Sequence, residues 1–213
     1  MATHGRTGWK HLVVGSVAEA VIAQSSVPVL LTCARPGEMP PQPPFDAAHT
    51  RVVVPLDGSK FAEAALPAAI ELLGLTGELV LVTVVEPPHG VVRDEYRRIR
   101  VYLDQQEEAL TRQAREYLHT TAAQLIDTHP GLHVTSEARV GAPAAGVIAA
   151  AADRAADLVV MSSHGRTGIR RAVFGSVTGA VVHDGNTPVM VVHPRAADTD
   201  ASATLSQHVA SFS

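Results

Sequence analysis

The 213-residue chain is short of several things, and each shortage excludes a class of protein. It has one cysteine, Cys33, which leaves no material for a disulfide framework or for a multi-thiolate zinc or iron–sulfur site. Aromatic residues make up only 4%, so a core must be built from Ala, Val, Leu and Ile. No apolar run approaches the roughly 20 residues that span a bilayer. The net charge is −4, with no dense block of Lys or Arg, which argues against nucleic acid as the main partner. Met1-Ala2-Thr3-His4-Gly5-Arg6 leads into no signal-peptide core. The expectation is a soluble cytoplasmic protein with neither nucleic acid nor membrane as partner. The length suits one domain plus extras, or two small domains.

An internal repeat organises the chain. MATHGRTGWKHLVVGSVAEAVIAQSSVPVLL lies without gaps over MSSHGRTGIRRAVFGSVTGAVVHDGNTPVMV at an offset of 160. His4-Gly5-Arg6-Thr7-Gly8 recurs as His164-Gly165-Arg166-Thr167-Gly168, and Gly15-Ser16-Val17 as Gly175-Ser176-Val177. The chain therefore reads as the last portion of one unit (1–35), a proline-rich semi-stiff linker (36–50), one complete unit (51–195) and a small, polar, flexible tail (196–213).

Within the complete unit, strand and helix signals alternate. A short β-branched run at 51–56, buried apolar runs at 78–85 and 158–161, an alternating stretch at 133–140 and a last run at 188–193 read as strands. Helical spacing runs over 61–73, 95–126 and 143–154. In the long helix, Tyr96, Ile99, Leu103, Leu110, Ala114, Tyr117 and Leu118 share one side. Ser176 is a candidate N-cap and Gly185 a candidate stop for one further helix. Strands filled with Val, Leu and Ile and separated by helices imply a doubly wound α/β layer, with a mostly parallel sheet covered on both faces.

In such sheets ligands bind beyond the carboxyl ends of the strands, where strand order reverses. Pro55-Leu56-Asp57, Val84-Val85-Glu86 and the stretch from Met161 to Gly168 fall at such ends. The Gly165–Gly168 segment and the helix opening at Gly175-Ser176-Val177 offer backbone donors that suit a polyphosphate. Asp57 is placed to accept from a ribose hydroxyl or a base amine. The plainer reading of Asp57-Gly58-Ser59 is a turn that caps a helix. No P-loop, GxGxxG, G-x-S-x-G or HExxH pattern is present, and no nucleophile–base pair is visible. His4 and His164 serve as readily to buttress a loop as to catalyse, and Cys33 reads as an inert thiol in an apolar strand.

Together these residues resemble the universal stress protein family. The resemblance covers Arg51 to Pro194 as a complete domain and Met1 to about Ala34 as the end of another. The spacing from Gly165 to Gly175-Ser176 matches the family's nucleotide-binding motif, and Pro55-Leu56-Asp57-Gly58-Ser59 is similar to its opening signature. The resemblance implies an ATP-binding fold of five mostly parallel strands, of the adenine-nucleotide alpha-hydrolase type. It implies adenine near Asp57 and Val84, with ribose and phosphates along Met161, Gly165, Arg166, Gly175, Ser176 and Val177. Pro55, Leu56, Ser162, His164 and Thr178 complete the implied nucleotide-binding set. Mg²⁺ or Mn²⁺ would be held through the phosphates, with no metal ligand and no catalytic residue from the protein, and at most slow hydrolysis. One position departs: the family's first glycine corresponds to Ser162, whose β-carbon would crowd a ligand if its φ were positive.

The first unit's fragment lacks the strands bearing Asp57 and Val84, so it is expected to bind no nucleotide alone, and some 35 residues are too few to fold alone. Met1 aligns with Met161, which suits a truncated tandem or an upstream start. Residues 27–33 are expected to pair antiparallel with 188–193, as last strands pair across a two-fold axis in the family. The expected partners are thus an adenine nucleotide and either a second copy or the chain's own fragment. The leading expectation is an ATP-binding stress-response regulator. The alternative is a nucleotide-free interaction module that dimerises through its last strand. A transferase on a related scaffold is the weakest reading.

Overall fold

The computed structural model describes residues 21–22, 24–32, 50–74, 76–87, 97–163 and 174–193. Linker residues 36–49, the tail, Cys33, Tyr96, and the repeated segments around His4 and His164 lie outside the described residues, as do the side chains of Ile99 and Leu103.

The elements in chain order are β1 (Val29–Leu31), β2 (Arg51–Pro55), α1 (Lys60–Glu63), α2 (Leu66–Leu73), β3 (Glu78–Val85), α3 (Arg97–Thr128), β4 (His133–Val140), α4 (Pro143–Asp153), β5 (Leu158–Ser162), α5 (Ser176–Asp184) and β6 (Val189–Val192). They form one six-stranded sheet of order β1-β6-β5-β2-β3-β4. The five strands from β2 to β6 run parallel, and β1 closes the edge antiparallel to β6. The pairing of Leu30 with Met190 bears out the expected docking of the N-terminal fragment. No helix among the described residues is long and apolar enough to cross a membrane.

Alternation along each strand sends neighbours to opposite faces, and both faces are covered. Val52, Val54, Leu79, Leu81, Leu158 and Val160 pack with Leu66, Ala69 and Leu73 of α2 and Leu118 of α3. Val53, Val80, Val82, Val159 and Met161 pack on the other face with Val147 and Ala150 of α4 and Val181 and Val182 of α5. Ile22, a helical residue just before β1, is 1% exposed and belongs to this second layer. β4 is the opposite edge; it is short of buried residues and carries His133, Glu137 and Arg139, the polar dress expected of an edge strand.

Three local expectations are corrected. The helix expected over 61–73 is two helices, because Pro67 has no N–H to bond the Glu63 carbonyl four residues earlier. Gly175, not Ser176, is the N-cap of α5, and its own N–H is spent on the Ser163 carbonyl at 2.7 Å. Of the residues expected to share one side of the long helix, Ala114 and Leu118 are buried whereas Leu110 is 38% exposed.

Candidate functional site

The connection from β2 leads to β3 on one side, while β5, the other neighbour of β2, is followed by β6 on the far side. This makes β2/β5 the switch point, where the loops leave the sheet in opposite directions and open a crevice. A cavity of about 680 Å³ lies there, within the range of small-molecule sites.

Its floor and walls come from the carboxyl ends of three strands. Pro55, Leu56 and Asp57 follow β2, Val84 and Glu86 stand at the end of β3, and Met161 and Ser162 end β5. Gly175, Ser176, Val177 and Thr178, the opening of α5, form one end. The structure thus brings together every site residue expected from sequence, apart from His164, Gly165 and Arg166, which lie outside the described residues.

Local bonds hold these groups. Asp57 Oδ1 accepts from the Ser59 N–H at 2.9 Å and from Ser59 Oγ at 2.6 Å. Ser59 Oγ in turn accepts from Ala62 N–H as the N-cap of α1. The capping reading of Asp57-Gly58-Ser59 therefore holds, and the same turn faces the cavity. Gly58 makes it possible at φ 80°, a conformation that costs other residues about 1–2 kcal/mol. The Leu56 N–H donates to the Val82 carbonyl at 2.7 Å, and Thr83 Oγ1 donates to the Leu56 carbonyl at 2.9 Å. Thr178 Oγ1 donates to the Ser162 carbonyl at 2.8 Å, tying α5 to the end of β5.

Ser162 does not meet the condition under which its β-carbon would intrude. Among the described residues Ala155 is the sole non-glycine with positive φ, so Ser162 keeps a strand backbone. Gly175 has no side chain to cap α5. Among the described residues no side chain bonds the first-turn N–H groups of α5, and Ser176, Val177 and Thr178, which carry them, line this end of the cavity.

Sequence reasoning missed one wall. Leu110, Gln113, Ala114 and Tyr117, spaced three or four apart on α3, line the cavity together with Pro143 and Val147 of α4. Tyr117 donates its hydroxyl to Glu63 Oε1 at 3.0 Å, joining α3 to α1. Burial, reinforced by the Glu63 carboxylate, pushes the phenol well above its ordinary value of 10.0. The available signal for Pro143 was the strand-end rule applied to β4, whose carboxyl end is followed directly by Gly141-Ala142-Pro143.

An open, mostly parallel α/β sheet with a crevice at its switch point defines the class of nucleotide- and cofactor-type folds rather than any one activity. The chain belongs to the Universal stress protein family, which it matches over residues 1–32 and 49–193. It is 26% identical over 155 residues to Universal stress protein MJ0577 of Methanocaldococcus jannaschii, covering 68% of this chain and 94% of that protein. The solved MJ0577 structure superposes with a TM-score of 0.60 over 70% of this chain and 98% of that one, at 27% identity. Universal stress protein Rv2005c of Mycobacterium tuberculosis is 28% identical over 192 residues, 90% of this chain. The chain spans only 60% of that relative's length. Universal stress protein UspA from Lactobacillus plantarum shares the fold, with a TM-score of 0.57 and 23% identity over 68% of this chain and 97% of that one.

Proposed function

We propose that the chain binds ATP, or another adenine nucleotide, in the switch-point cavity and acts as a cytoplasmic stress-response regulator whose conformation or association follows the bound nucleotide. The observation that carries this reading is the pairing of two chemistries in one cavity. Asp57 and Val84 supply an acceptor and an apolar wall at one side. The uncapped first turn of α5, with its positive dipole end, faces the other. A polyphosphate fits the second and a purine with its ribose the first. Mg²⁺ or Mn²⁺ would arrive on the phosphates; the cation's chemistry is to neutralise their charge. His164, Gly165 and Arg166 are proposed to continue the phosphate side on the strength of the motif spacing.

Ser176→Glu separates binding from folding. Ser176 is exposed at the first position of α5, whose first turn holds no acidic residue. A carboxylate there favours the helix dipole by about 0.3–1 kcal/mol but repels a polyphosphate. The expected result is micromolar ATP·Mg²⁺ binding by the wild-type chain in calorimetry, a loss of at least about tenfold in Ser176→Glu, and an equal or higher melting temperature. Wild-type protein that carries no nucleotide by mass spectrometry and gives a flat titration to millimolar ATP would reject the reading.

A second reading, a strand-edge interaction module, has its own observation. The register sets Leu30 against Met190, and these two residues are also equivalent in the 160-residue repeat. The β1–β6 pair is therefore arranged about a local two-fold axis, as an isologous interface would be. This supports a layout of partial unit, linker, complete unit and tail, in which the fragment is an internal stand-in for a second copy.

A further inference from the structure

Three parts of the chain meet at His193, which directly follows β6. Its Nε2 bonds the carbonyl of Ile22 in the docked N-terminal segment, and its Nδ1 lies 2.7 Å from Ser163 Oγ. A carbonyl only accepts, so Nε2 carries its hydrogen, and Nδ1 shares the second bond with the serine hydroxyl. Both partners are out of water, since Ile22 and Ser163 are each 1% exposed. Ser163 is itself fixed on two sides. Its N–H donates to the Val192 carbonyl at 2.9 Å, and its carbonyl accepts the Gly175 N–H at 2.7 Å. Gly175 is the N-cap of α5 and lines the cavity. A continuous polar route thus runs from Ile22 through His193 and Ser163 to Gly175. The internal repeat puts Cys33 where the complete unit has His193, so this route is particular to the complete unit.

We propose that His193 is a positioning residue that makes the order of the α5 end of the cavity depend on docking of the N-terminal segment. The docked segment then acts as a built-in effector: when it leaves, His193 loses the acceptor that fixes its ring, its bond to Ser163 Oγ loosens, and the Gly175 N–H is held less firmly. The consequence for nucleotide affinity rests on the ATP reading; the coupling itself does not.

The test uses the full chain and amide hydrogen exchange without nucleotide. His193→Ala is expected to speed exchange in β1 and at Gly175 together, each by about fivefold or more, the effect of one lost buried hydrogen bond. His193→Gln, whose amide can donate to Ile22 and accept from Ser163, is expected to restore both. Ser163→Ala removes the hydroxyl that bonds His193 but leaves the His193–Ile22 bond, and is expected to speed exchange at Gly175 while leaving β1 protected; it reads the same link should His193→Ala not fold. In an ATP·Mg²⁺ titration, His193→Ala is expected to bind several-fold more weakly. Faster exchange in β1 with Gly175 unchanged would overturn the proposal. So would a rise spread over β2 and β3 that glutamine fails to reverse. If the wild-type chain binds no ATP, the ATP reading fails and the exchange pattern still decides the coupling.

Discussion

Glu137 on β4 shows how a single carboxylate can matter away from the cavity. Its Oε1 accepts from Arg139 Nε at 2.7 Å, and its Oε2 accepts from Arg154 Nη2 at 2.7 Å and Nε at 3.1 Å. The Arg139 fork also reaches Asp153 at 2.8 Å, so β4 and the end of α4 share one network. Burial acts to raise the Glu137 pKa, but the two guanidinium groups outweigh it and hold the carboxyl below its ordinary value of 4.5. A depressed folded-state value means stability that is present above about 4.5 and is lost as pH falls through the folded value. The side chain is 19% exposed, so the network keeps part of its strength against solvent screening. Glu137→Gln is expected to cost about 1–2 kcal/mol at neutral pH, with the gap to wild type closing as the wild-type carboxyl protonates in acid. Urea denaturation at a series of pH values checks this. A gap that stayed constant from neutral pH into acid would show that packing, not charge, is what Glu137 supplies.

At the scale of elements, α4 packs along β3, most closely where Gly146 meets Val84. A β-carbon on Gly146 would sit 2.7 Å and 2.8 Å from the two methyls of Val84, closer than side chains approach. Gly146 is therefore required by contact, not by backbone conformation, and Val84 lines the cavity. Gly146→Val is expected to lose about 1–3 kcal/mol through overpacking, and to shift Val84 into the cavity so that ligand affinity falls in parallel. A chemical denaturation curve paired with an ATP titration separates the two effects; unchanged stability would mean that α4 can slide on the sheet. A contact of this kind leaves no mark in the sequence, whereas the strands do. They were legible because buried parallel strands need uninterrupted apolar runs, as Val52-Val53-Val54 and Leu158-Val159-Val160 show. The strand-end residues of the cavity were legible because a doubly wound sheet puts ligands there. The contribution of Gln113 and Tyr117 was not, since helical periodicity tells which residues share a face but not how far along α3 that face meets the cleft. The cap at Gly175 was missed by one residue because the bond that fixes it goes to Ser163, a tertiary partner invisible in local sequence.

At the scale of the molecule, the question is what the docked strand prevents. β6 would be an open edge without β1, and its Val189–Val192 run is apolar throughout. Leu30 stands opposite Met190 and packs on the layer beneath α2 and α3. Because these two positions are equivalent in the repeat, a second copy's β6 can take the place of β1 with Met190 opposite Met190. Leu30→Asp puts a carboxylate against this apolar contact and is expected to undock the segment. The variant is then expected to sediment as a concentration-dependent dimer, and the wild-type chain, with β1 in place, is expected not to associate through this edge. Adding Met190→Lys discriminates the arrangement. Within one chain the introduced lysine would face the introduced aspartate and favour re-docking, while between chains two lysines would meet on the axis and repel. The double variant is therefore expected to return to monomer. A Leu30→Asp chain that stays monomeric at high concentration would show that β6 is shielded by something other than β1, and would remove the basis for reading the fragment as a stand-in partner.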